Sequence, residues 1–155
     1  MNPEQRLQDL GLVLPNPPRA VANYVPAVKT GRLLVVSGQL PFGLDGVLSE
    51  RHTGKLGRDV FNEAGQEAAR LCALNVLAQA RAALGSLNEV TRCVKIGGFV
   101  NSSPGFTAIP AIVNGASDLM VAVFGDAGRH ARFAVGVAEL PLDAAVEIEA
   151  MFEVT

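Results

Sequence analysis

Residues 146–154 read VEIEAMFEV, and the alternation is unbroken. Val146, Ile148, Ala150, Phe152 and Val154 fall on one side of an extended chain, with Glu147, Glu149, Met151 and Glu153 on the other. This period of two specifies a strand, here over 145–154, with one face in a core. It also pins the register, because a slip by one residue would turn the glutamates inward. Such a face needs a covering layer. Residues 60–84 supply one: Phe61, Ala64, Ala68, Leu71, Cys72, Val76, Ala80 and Ala83 recur at helical spacing, and Gly85 stands where a C-terminal cap belongs.

The same reading places a second helix over 106–124, with Pro110 in its first turn and Gly125 ending it. Strands are predicted over 24–29 and 32–37 around a Thr30-Gly31 turn, over 92–100, and over 131–140. Gly97-Gly98 marks a bulge or a close backbone approach. Asn2 and Pro3 open a short helix that Gly11 closes, read as a surface appendage, and the proline-rich stretch 14–22 is extended. Residues 42–58 form a polar, glycine-rich loop. The order strand, strand, helix, strand, helix, strand, strand indicates an α+β fold with the helices on one face of the sheet. The chain of 155 residues is read as one domain, 1–155, with 1–19 as an N-terminal extension.

Composition narrows the function classes. Thirteen Lys and Arg against fifteen Asp and Glu give a net charge of -2, and the basic residues are scattered, which disfavours nucleic acid as a partner. Cys72 and Cys93 lack metal-ligand spacing and are read as buried thiols of a reducing compartment rather than a disulfide. The N-terminus carries charges where a signal peptide needs its apolar segment, and no run is read as membrane-spanning. A cytoplasmic protein without membrane contact is expected.

Candidate site residues begin with Arg132, in HARFAVGVAELP. In a strand it shares a face with Ala134, Gly136 and Ala138, a floor of small side chains that would leave open space before the guanidinium. Its planar fork suits a carboxylate, although an ion pair within or between chains would use it equally. Glu147 is a candidate general base, or else one of several solvated or paired acids. His52 and His130 have no acidic or Cys partner at ligand spacing, so no metal site is expected. Ser37, in SGQ, lacks the context of a nucleophile, and the glycine-rich segments lack the spacing of a phosphate loop.

Two longer patterns add to this. ARFAVGVAELP, LDAAV and EIEA together resemble the C-terminal signature of the Rid family (reactive intermediate deaminase, also called YjgF), and YVPAVKTGRLLVVSGQLP resembles its N-terminal one. Leu74-Asn75-Val76 and Val113-Asn114 fall between them in the family's order. The resemblance implies a chorismate-mutase-like mixed β-sheet with two main helices packed on one face, assembled as a homotrimer with small-molecule sites between subunits. It implies hydrolysis of 2-imino or 2-enamino acids to 2-keto acids and ammonia, without metal or organic cofactor. By the same resemblance Arg132 holds the substrate carboxylate, Glu147 positions the attacking water, and Tyr24, Ser37 and Asn114 line the cleft. Three positions depart from the family's pattern: Ala134 is often Cys, Gly136 is commonly larger, and His130 is usually Pro. The alternative is a noncatalytic trimeric binder or sensor of small carboxylates or keto acids.

Overall fold

The computed structural model describes all residues, 1–155. Five strands form one sheet in the order β1-β2-β5-β3-β4: β1 Ala27–Thr30, β2 Leu33–Gln39, β3 Val90–Asn101, β4 Ala131–Val137 and β5 Val146–Val154. The strictly alternating segment is thus the central strand. Its Val146, Ile148, Phe152 and Val154 are wholly buried and Ala150 nearly so, while the residues between them remain partly open. β3 and β4 run parallel, joined through a helix, and every other pairing is antiparallel. The expected α+β fold, with a mixed sheet and two main helices on one face, is what forms.

The two helices are α2, Asn62–Leu84, and α3, Ile109–Phe124; α1 is Pro3–Asp9. Gly85 ends α2 at φ 83°, the left-handed conformation that a residue with a Cβ resists. α3 begins later than its apolar pattern, because Phe106 lies in a loop against Gly57. Gly115 lets α3 approach α2: a Cβ there would collide with the backbone carbonyl of Gln66. Residues 109–128 are apolar and long enough to cross a membrane by composition, contrary to the sequence reading. Here Ile112, Val113, Ala116, Leu119, Met120 and Val123 are instead fully buried in the protein core.

The structure corrects several expectations. The short N-terminal helix is not an appendage: Leu7 is 2% exposed within the main core, and Glu4 pairs with Arg81 at 2.6 Å and accepts the Leu87 N–H at 2.9 Å. β1 starts at Ala27 rather than 24, just after Pro26, which has no N–H to give a neighbouring strand. β4 stops at Val137 rather than 140. The 42–58 loop is fastened down, with a short 3-10 turn at Glu50–His52, an Arg51–Glu67 ion pair at 2.7 Å, and a buried Leu56. Gly97 and Gly98 mark close approaches, of Phe133 and of Val113, while the irregularities of β3 pairing lie nearer its start. Cys72 and Cys93 are free and buried, and burial pushes the Cys93 thiol up to about 12.

Candidate functional site

Register decides which candidates can meet. Directly paired residues share a sheet face, so Arg132, opposite Ile96 and through it Ala150, lies on the helix side. Glu147, opposite Phe99 and through it Val135, lies on the outer side. Within one chain the two groups with the clearest chemistry are therefore on opposite faces of the sheet.

Arg132 is held by α3. Its Nη1 donates to Asn114 Oδ1 at 2.8 Å and to Ser117 Oγ at 3.2 Å, and its Nη2 donates to the Pro110 carbonyl at 3.3 Å. All three acceptors are neutral, and no carboxylate pairs with the guanidinium. Its charge is thus oriented but not neutralised, which removes the intrachain ion pair left open by the sequence. Asn114 and Ser117 are one helical turn apart and so share a face of α3. Ser117 escaped the sequence reading, and that spacing was the available signal. The open floor beside Arg132 forms in part, with Gly136 and Ala138 exposed. Ala134 packs on the core, and a Cβ at Gly136 would meet Ser102 Oγ at 2.5 Å and Ile109 Cδ1 at 2.9 Å. The small residues make room for the start of α3.

On the outer face Glu147 is half-buried, and its carboxylate has no hydrogen bond or ion pair to the rest of the chain. Burial, and secondarily the neighbouring Glu149, raises its carboxyl above the ordinary range. The pairing of β2 with β5 is irregular between Val36 and Gln39, and Gly38 comes to lie against Glu147 so closely that a Cβ there would collide with Oε2. Next to it Ser37 donates from Oγ to the Val25 carbonyl at 2.9 Å, and its N–H donates to the Pro26 carbonyl at 2.9 Å. These bonds fix the bend that carries Tyr24, which is 53% exposed. The sequence candidates thus divide into two groups: Arg132 with Asn114, and Glu147 on β5 with Ser37 and Tyr24 along β2 and the bend before β1.

Cavities of about 210 and 430 Å³ lie around the loop 43–46, the larger reaching His52 and Leu71. No set of three or more His, Cys, Asp or Glu side chains is arranged to hold a metal ion.

Comparisons with known proteins place this geometry. Residues 4–153 match the family described as "YjgF/chorismate_mutase-like, putative endoribonuclease". Protein TCP17 of Trypanosoma cruzi is 52% identical over 148 residues, covering 95% of this chain and 91% of that protein. A crystal structure from Agrobacterium tumefaciens, of unknown function, is 49% identical with a TM-score of 0.89, covering 99% of this chain and 94% of that one. The structure of Escherichia coli TdcF with bound serine is 26% identical with a TM-score of 0.64, covering 90% and 94%. The chain belongs to the YjgF/Rid family.

Proposed function

We propose that the protein hydrolyses reactive 2-imino acids, or their 2-enamine tautomers, to 2-keto acids and ammonia at clefts between the subunits of a homotrimer. The observation that carries this reading is an arginine oriented by three neutral oxygens and an unpartnered, half-buried carboxylate, set on opposite faces of one sheet. Each is half of a site that a second copy of the chain would complete. The serine bound by TdcF is an α-amino acid, close in size and charge to such a substrate.

The chemistry asks little of the protein. An imine carbon is already electrophilic, so the site must orient the substrate by its carboxylate, deliver water and move protons. Arg132 takes the carboxylate in its fork. Glu147 accepts a proton as the water oxygen bonds to the imine carbon and passes it to nitrogen, giving a carbinolamine; it then takes the carbinolamine hydroxyl proton and delivers it to nitrogen as the C–N bond breaks and the carbonyl forms. The products are the keto acid and ammonia. A carboxylate whose proton affinity is raised by burial suits this exchange better than a solvated one. RNA cleavage, which the family description carries, has less support here, because the net charge is -2 and the basic residues are scattered along the sequence.

The test generates imino acids with an amino-acid oxidase and traps them with semicarbazide. The protein should suppress trapping. Glu147→Gln should lose ~10²-fold or more of that activity while still binding pyruvate. Unchanged turnover in Glu147→Gln would favour the noncatalytic binder, and unchanged pyruvate affinity in Arg132→Ala would remove the carboxylate role.

A further inference from the structure

A guanidinium that receives an anion must be held by atoms that leave its charge unpaired, and part of that support behind Arg132 runs back to a histidine. His130 Nδ1 lies 2.6 Å from the Gly128 carbonyl, which can only accept, so Nδ1 carries a proton. In the neutral ring Nε2 is then the acceptor, and the Ser117 hydroxyl, 2.9 Å away, donates to it. With its proton so placed, Ser117 Oγ offers a lone pair to Arg132 Nη1 at 3.2 Å. The line from Gly128 through His130 and Ser117 to Arg132 is continuous.

We propose that His130 and Ser117 form a proton-responsive support behind Arg132, so that a small carboxylate docking on Arg132 draws a proton onto His130 and binds more tightly as pH falls. This rests on the reading of Arg132 as the carboxylate holder.

The sign follows from the charges. Once protonated, Nε2–H would donate to Ser117 Oγ, whose two lone pairs then serve the ring and Arg132. The geometry survives and only the charge changes. Burial holds the His130 imidazole below its usual range, and the positive charge of Arg132 adds to this against the opposing bond to Gly128. A bound carboxylate offsets the Arg132 charge and attracts the imidazolium, so the complex holds more protons than the free protein. By linkage, affinity rises as pH falls through the interval between the free and bound titrations of His130. Other charged groups nearby are otherwise engaged or solvated. Arg129 and Asp126 in the adjoining turn pair with each other at 3.7 Å, Arg92 of β3 donates to the Arg129 carbonyl at 3.0 Å, and Asp118 of α3 is exposed. Arg132 is the charged side chain whose field acts on the ring.

Calorimetric titration with pyruvate, in pairs of buffers with different ionisation enthalpies, reads the proton uptake directly. The wild type should take up a fraction of a proton, with Kd falling several-fold between about pH 8 and about pH 6. His130→Asn, which keeps an N–H for the Gly128 carbonyl, should bind without uptake and with a flat pH profile when combined with Glu147→Gln, which silences the other titratable group of the proposed site. Ser117→Ala should weaken binding about fivefold or more at every pH, and Ser117→Thr should restore it. Wild-type binding without uptake, or uptake that persists in that double variant, would overturn the proposal if Arg132→Ala still abolishes binding, leaving the carboxylate reading intact. Normal pyruvate binding by Arg132→Ala would overturn both.

Discussion

Glu147 stands against Gly38 with no cation of its own chain to compensate its charge, so the single chain tolerates the ionised form rather than profiting from it. A raised carboxyl contributes its stability below the unfolded titration range and loses it as pH rises through the folded one. In an Arg132→Ala background, which removes the cation a neighbouring copy would bring, Glu147→Gln should therefore raise stability near neutrality by roughly 0.5 kcal/mol or more, with the difference closing in acid. Denaturant unfolding at fixed protein concentration, repeated at about pH 7 and about pH 4, checks this, and a less stable variant at pH 7 would count against it. The sequence made Arg132 and Glu147 visible as an arginine opening an apolar strand and a glutamate in an alternating one. It did not show Gly38, Ser117 or the link from His130, because each acts across a contact between elements far apart in the chain.

Elements whose own pattern sets their limits were the easiest to read. α2 has a continuous apolar stripe and a glycine cap, and β5 has its alternation; both form where expected. Elements limited by tertiary contacts were read less well. β4 loses its partner strand beyond Val137, where β3 ends at Asn101. α1 looks like a solvated turn of polar helix because only Leu7 faces inward, yet that residue is part of the core and Glu4 binds both Arg81 and the Leu87 N–H. Leu7→Ala should cost about 2 to 4 kcal/mol, as for other buried leucines, rather than the few tenths expected of an appendage. Denaturant unfolding distinguishes the two, and the small value would return α1 to the surface.

At the scale of the molecule, the two faces of the sheet have different needs. One is covered by α2 and α3. The other carries Val28, Leu33, Val35 and Val135, each more than a third exposed, with Phe133 and Met151 beside them. A face that exposes this many apolar side chains among its glutamates calls for a partner surface, and in the homotrimer proposed above that surface is another copy of the chain. The division of the candidate residues between opposite faces then has a genetic consequence. Two inactive chains, Arg132→Ala and Glu147→Gln, should repair each other when co-expressed in equal amounts. In a ring of three, every mixed trimer has one junction where an intact Arg132 meets an intact Glu147, so about a quarter of all sites recover and imine hydrolysis returns. A site contained within one chain would show no such complementation, and purified mixed trimers assayed beside each parent would reveal it.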